Sequence, residues 1–346
     1  MPIENQQIKF MKSQTVSDAA GNGGRMSDLE AANGVKNNVW PDVPASERQN
    51  GSTKFRKIFI KVASPDNLML KETRVFIQTP TPAGDRVVFF AGTQRDVQSE
   101  VSGIAQIQYG SGSLNAEVSA GASVITVNVE DPADAIFSPG QMIRISNKTS
   151  VEDLEGMEEF VSIDAVTWNG NLATLTLAAG TTLTNAYLAA DTTRVASVFE
   201  YGEVWAKTSN YALSTTSGTF GGWNGSGSPP VTLTEARIAD HIAGIEQTWT
   251  LTIGYYGQDF QCVGDTVGPL GQGQMAEPFA PNNPAHSRPY FTLPPSFWGG
   301  SWQNGEVVSF TTHPAAIPIW EKRIIPPGTD SLAGDRVVIG VAGESE

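Results

Sequence analysis

The chain has one cysteine, Cys262, in 346 residues, which excludes an internal disulfide framework and any cysteine-based zinc site. Its three histidines, His241, His286 and His313, lie far apart without the paired spacing of a metal site or a triad, and each reads as a packing or surface residue. Charge is sparse, at 17 % of residues, and basic charge sparser: 22 Lys and Arg stand against 36 Asp and Glu, a net charge of −14. A phosphate footprint needs clustered Lys and Arg, so direct nucleic-acid binding is not expected. No apolar run approaches the roughly 18 residues of a membrane span, and polar Met1–Phe10 lacks the apolar core of a signal peptide. The phosphate-loop, zinc-protease, nucleophile-elbow and EF-hand patterns are missing, so no enzyme activity, cofactor or metal is expected, and no residue is assigned a catalytic, cofactor-binding or metal-ligating role.

Glycine (35) and proline (21) are abundant, and 40 % hydrophobic residues can build true cores. The charge is uneven. Residues 1–114 carry a balance of +2, residues 115–200 of −9 and residues 201–346 of −7. A near-neutral, Lys/Arg-bearing N-terminal third on an acidic body is read as one half of a contact between subunits. The arm and the basic run Lys54–Lys61 are expected to dock on an acidic neighbouring surface.

The patterning predicts a mainly β protein: two or three small antiparallel β-sandwich or barrel modules with an extended N-terminal arm. Residues 1–53 read as the arm, within which the S-x-x-E spacing of Ser27 and Glu30 predicts a helix over 28–38, ended by Trp40-Pro41. Residues 54–112 form a first β region, with strands at Lys54–Val62, Thr73–Gln78 and Arg86–Phe90. Residues 113–200 form an inserted or central module, with strands at Ser123–Val129, Gln141–Ser146, Glu159–Val166, Asn171–Leu177 and Arg194–Phe199; Asn169-Gly170 is a hairpin signal. Residues 201–244 read as linker and loop, Gly/Ser-rich over Ser214–Pro230, with a short helix capped by Thr232 and ending at Gly244. Residues 245–346 read as a C-terminal β-sandwich, with Glu277–Pro295 as a proline-rich ordered loop or edge. One echo crosses these boundaries: Ala83-Gly-Asp-Arg-Val-Val88 recurs as Ala333-Gly-Asp-Arg-Val-Val338 after a proline-rich turn. It is read either as a shared strand–turn–strand plan or as a common β-turn into a valine-rich strand.

Three groups could carry chemistry. The acidic run Glu152, Asp153, Glu155, Glu158 and Glu159 could bind Ca²⁺ through oxygen ligands, or be a solvated loop between strands. Asp259, Asp265 and Glu277, near Tyr255, Tyr256 and Trp298, could supply a glycosidase acid pair, although nothing in their spacing demands it. Trp298, Trp302 and Trp320 with Phe291 and Phe297 could form a sugar platform, but amphipathic rings of this kind more often anchor cores or interfaces. Asn50, Asn147 and Asn224 match the N-glycosylation pattern and carry little weight without a secretory signal.

The segments Ala122-Ser-Val-Ile-Thr-Val127, Phe137-Ser-Pro-Gly-Gln-Met-Ile-Arg-Ile145, Glu159-Phe-Val-Ser-Ile163, Ala173-Thr-Leu-Thr-Leu177 and Ala189-Ala-Asp-Thr-Thr-Arg-Val195 together cover about a quarter of the chain. This pattern resembles small β modules in structural proteins of tailed bacteriophages. Gly51-Ser-Thr-Lys-Phe-Arg-Lys57, Phe90-Ala-Gly-Thr-Gln94 and Ile319-Trp-Glu-Lys-Arg-Ile-Ile-Pro-Pro-Gly328 resemble virion proteins of Mu-like and related long-tailed phages. The resemblance implies a homo-oligomeric tail or baseplate component, contacting other tail proteins and located in the virion after assembly in the host cytoplasm. It carries no functional residues with it. The alternative is a receptor- or glycan-binding protein on the tail tip or capsid surface; a tail-associated glycan hydrolase ranks behind both.

Overall fold

A computed structural model describes residues 2–150, 153–208, 212–215, 239–298 and 302–346. Most of the predicted Gly/Ser linker and the helix capped by Thr232 lie outside the described residues. No helix among the described residues is long and apolar enough to cross a membrane.

The chain begins with β1 (Ile8–Thr15) and β2 (Gly23–Glu30), a short helix α1 (Ala45–Asn50), and then β3 (Ser52–Val62), β4 (Leu70–Thr79) and β5 (Arg86–Ala91). The expected extended arm is instead a hairpin in the main sheet: Ile8–Lys12 pairs with Ile58–Val62 of β3. Nor is there a helix over 28–38. The Ser27 hydroxyl, the supposed cap, donates across the hairpin to the Lys12 carbonyl at 2.9 Å. An extended edge needs a neighbouring strand to bond its amides, and β1 provides it.

After a one-turn helix α2 (Gln98–Val101), the chain forms β6 (Ser111–Leu114), β7 (Val124–Asn128), β8 (Met142–Ser146), β9 (Glu158–Asn169), β10 (Leu172–Leu177) and β11 (Arg194–Val204). The ladder runs β6–β7–β10–β9–β8, and β11 pairs with both β6 and β8, closing a six-stranded barrel. Alternating inward residues such as Ile125, Val127, Ile143, Ile145, Ala173 and Leu175 fill it, so the period-two pattern of the sequence becomes a sealed core. The predicted central module thus matches the barrel almost strand for strand. Past Val198 the strand β11 leaves the barrel, and Phe199–Val204 pairs with β4.

The next elements are β12 (Lys207–Thr208), β13 (Ala212–Thr215), β14 (Gln247–Ile253), β15 (Asp259–Gly264), β16 (Gly268–Gln274), β17 (Asn282–Asn283), β18 (Arg288–Pro289) and β19 (Glu306–His313). Here β12 and β13 both flank β19, and the sheet continues through β14 and β15 to the edge strand β16. The inner face is covered by the proline-rich segment, which brings Phe279, Tyr290, Phe291 and Leu293 onto Trp249, Leu251 and Phe260. That segment is ordered and holds no more than the two-residue pair β17–β18 and a single bridge between Phe279 and Leu293, as expected where proline removes ladder donors.

The chain ends with β20 (Ala316–Ile325) and β21 (Val338–Ser345). These do not belong with 245–313. β20 lies between β3 and β5, and β21 pairs with β4. The predicted C-terminal sandwich therefore divides near Pro314, and its last two strands complete the first module. That module is a two-layer sandwich: the sheet β2–β1–β3–β20–β5 packs on β21–β4–β11 through Ile58, Ile60, Val75, Ile77, Phe89, Ile317 and Ile319. The barrel and the third sheet are insertions into it. The two copies of Ala-Gly-Asp-Arg-Val-Val sit at matching places: each follows a strand of one layer and leads to a strand of the other. The strands then exchange, β4 with β21 and β20 with β5.

Candidate functional site

The structure keeps the predicted chemical residues apart. His241 is fully buried, His286 Nε2 lies 3.2 Å from Asp28, and His313 Nδ1 lies 2.6 Å from Glu246. Cys262 is buried under the third sheet, where burial pushes its thiol up to about 12, so it stays protonated and a poor nucleophile at neutral pH.

In the acidic loop Glu152 lies outside the described residues, and Asp153, Glu158 and Glu159 are engaged within the chain. Asp153 accepts from the backbone and hydroxyl of Thr149 and from the amides of Glu155 and Gly156, which hold its carboxyl well below the usual range. Glu158 is gripped by Arg144 at 2.7 Å and Lys148 at 2.5 Å, and Glu159 caps the amides of Thr184 and Asn185. Among the described residues no three His, Cys, Asp or Glu gather as metal ligands, and the Ca²⁺ reading has no support. Asp259 and Asp265 stand at opposite ends of β15, six residues and therefore roughly 20 Å apart, too far for a glycosidase pair.

The aromatic platform is a core. Phe291, Phe297 and Trp302 are buried, and Trp298 packs between Phe260 and Trp302. Trp320 belongs to another module, where its indole N–H donates to Asp96 at 2.9 Å. The most solvent-facing aromatics among the described residues are Tyr255 and Tyr256, 78 % and 82 % exposed, in a perpendicular pair at the tip of the β14–β15 hairpin.

The basic run does not face outward. β3 is central, both its faces are covered, and Arg56, Lys57 and Lys61 are 5 %, 1 % and 3 % exposed. Lys54 pairs with Asp18 and Glu47, and Arg56 with Asp18 beneath the Trp40 ring. Lys57 pairs with Asp96 at 2.5 Å and donates to the carbonyls of Gly24 and Asp96. Lys61 donates to the Ile242 carbonyl at 2.6 Å, and burial lowers its pKa as it does that of Lys57. The expected docking surface is thus internal. Sequence gave no sign of this, because the residues covering β3 come from segments distant in the chain.

The N-terminal third does meet acidic surface, but within its own chain. Arg95 bonds buried Glu246 at 2.6 Å and also reaches Asp265, which Arg25 grips from β2. Arg288 returns from the third module to Asp240 and the Pro65 carbonyl. On the barrel side Arg86 meets Asp131 at 2.6 Å and also Asp134, and the Arg144 guanidinium lies 4.6 Å from the centre of the Phe76 ring. Partly buried, multiply bonded pairs of this kind fix orientation more than they add stability. Between body and third module, Gln94, Tyr201, Trp205, Lys207 and His313 border a small cleft of about 130 Å³.

Among the described residues, nothing packs over the outer face of the third sheet. Its charged end is the Arg95–Glu246–Asp265 junction, its far end the tyrosine tip, and between them lie Thr250, Thr252, Gln261, Gln272 and Ser309. No family model matches the chain, and no curated protein matches it in sequence.

Proposed function

We propose that the chain is a structural protein of a tailed-phage particle, a homo-oligomeric component of the tail or baseplate that associates with other tail proteins and resides in the virion. The supporting observation is the nested architecture: a sandwich carrying two inserted β modules, with each junction held by ion pairs. Such a body presents its contact points at fixed positions. With the basic run buried, contacts fall to what stays exposed: the tyrosine tip, Leu154 at 97 % exposure, and the edge strands β2 and β16. Sedimentation and electron microscopy of the purified full chain test this. Rings, tubes or discrete closed oligomers support it; a strict monomer at the highest soluble concentration overturns it.

A second reading, glycan or receptor binding at the tail tip or capsid surface, is favoured by the threonine- and glutamine-lined outer face of the third sheet. Trp298 and Trp302 are core residues and do not test it, because removing either disrupts the module. Tyr255→Ala and Tyr256→Ala do.

A further inference from the structure

β16 does not follow β15 evenly. Cys262 is opposite Gly271, but Val263 is opposite Pro269, so Leu270 is an extra residue in the edge strand. This bulge bows β16 away and opens a shallow hollow of about 300 Å³ lined by Gln261, Val263, Pro269, Gly271 and Gln272, with Cys262 contributing at its floor. Gly271 has φ +105°, which a side chain rarely adopts, and nothing stands within 4 Å of where its Cβ would be. The backbone is therefore bare to an incoming ligand.

The chemistry of this hollow is specific. Gln261 and Gln272 are exposed carboxamides, each offering donors and an acceptor, and the Gln261 amide has no partner in the chain among the described residues. Val263 and Pro269 add an apolar wall. The nearby carboxylate, Asp259, accepts from the Gln272 amide at 2.5 Å, and among the described residues no group of three His, Cys, Asp or Glu gathers there to hold a metal ion. No Lys or Arg lies on this stretch of sheet to hold an anion, and the chain's net charge of −14 repels one. Three residue pairs beyond Gln261–Thr252, at the hairpin tip, stand Tyr255 and Tyr256, whose rings can stack on the C–H face of a sugar.

We infer that this hollow binds one pyranose of a neutral glycan, with the next units running along the threonine- and glutamine-lined face toward the tyrosine tip. A pyranose hydroxyl both donates and accepts, as a carboxamide does, and its ring face is apolar. The volume lies at the lower end of ligand sites and suits a single ring. The inference rests on the glycan reading of this module and is independent of assembly.

The test is a neutral-glycan array probed with the full chain, followed by titration of soluble neutral polysaccharide, with a carboxylated polysaccharide as the counter-probe. Gln261→Ala and Gln272→Ala replace exposed side chains, and circular dichroism checks that each variant is folded. The wild type is expected to retain neutral glycans, each single variant to weaken binding roughly three- to tenfold, and the double variant to abolish it. Neutral-glycan binding undiminished in the double variant overturns this site while leaving the glycan reading standing. Preference for the carboxylated polymer overturns the ligand class, and retention of no glycan overturns both site and reading.

Discussion

Asp85 and Asp335, the third residues of the two identical hexapeptides, hold the same guanidinium. Arg323 donates through Nε to Asp85 and through Nη2 to Asp335 at 3.1 Å. Asp335 also accepts from the Ala83 amide of the other copy. The repeat therefore makes two layer-crossing turns that meet at their acids. The partner is not duplicated: Arg74, before the first copy, faces Glu72 and the Phe160 ring instead. Two carboxylates share one cation, and a proton resolves the excess negative charge. Burial first, then the neighbouring Asp85, pushes the Asp335 carboxyl up to about 6.

That shift fixes a pH dependence. The native state holds a proton that the unfolded chain, with an ordinary value of 3.8, releases earlier, so this group's contribution is full below about pH 4 and is lost as pH rises through about 6. Asp335→Asn keeps an acceptor for Ala83 and removes the titration. Urea midpoints measured across this range are expected to lose this part of their downward slope in the variant. At neutral pH the variant is expected to match or exceed the wild type.

Glu321 makes a second, separable case. It is buried beside β3, accepts from the Trp40 indole N–H at 2.6 Å, and burial pushes it up to about 7 despite Arg56 and Arg323. Its folded value is raised, so stability falls as pH rises through about 7. Glu321→Gln keeps an acceptor and cannot ionise, and it is expected to flatten the thermal stability profile between about pH 4.5 and pH 7. Trp40→Phe removes the donor and is expected to cost about 1–3 kcal/mol. An unchanged profile in Glu321→Gln would place the titrating proton elsewhere.

The barrel was legible in the sequence because its strands obey the rule a reader can apply. Val124–Asn128 and Leu172–Leu177 alternate, and beside the Asn169-Gly170 signal the chain turns at Gly170-Asn171 between β9 and β10, with Gly170 at φ +56°. The N-terminal hairpin was not, because Ser27-x-x-Glu30 fits a helix cap and a strand equally until the neighbour of Lys12 is known. Nor was the burial of Lys57 and Lys61: alternation locates a strand but not what covers its faces. The return of β20 and β21 to the first module was hidden too, although the repeated hexapeptide was its one visible trace. At the candidate site the threonine and glutamine residue types were in plain view, but the hollow depends on the Leu270 bulge, which is a property of register.

The N-terminal hairpin is a structural part of the sandwich and not a detachable arm. Gly23 has φ +103°, and a Cβ there would sit 2.6 Å from the Trp320 ring. Gly23→Ala combines backbone strain with a clash against a buried indole and is expected to destabilise by about 2 kcal/mol or more in denaturant titration. Deleting residues 2–30 is expected to leave the chain insoluble or molten, since it bares β3. A soluble, cooperatively folding truncation would restore the arm reading.

The junction with the third module should be separable from the modules themselves. Glu246 is almost wholly enclosed, and Arg95 and His313 both bond it. Arg95→Ala leaves that carboxylate to His313 alone, and it also removes a contact to Asp265 and the Thr248 hydroxyl. Because Arg95 is itself part-exposed, the loss is expected near 1–2 kcal/mol, below that for a fully buried pair. The loss should fall on docking, so calorimetry is expected to resolve an earlier transition for the third module while the barrel and sandwich melt as before. Salt is expected to reproduce the effect only weakly in the wild type, since enclosed pairs are poorly screened. A single transition that shifts as a whole would mean that the three modules unfold as one unit and that Arg95 stabilises all of it.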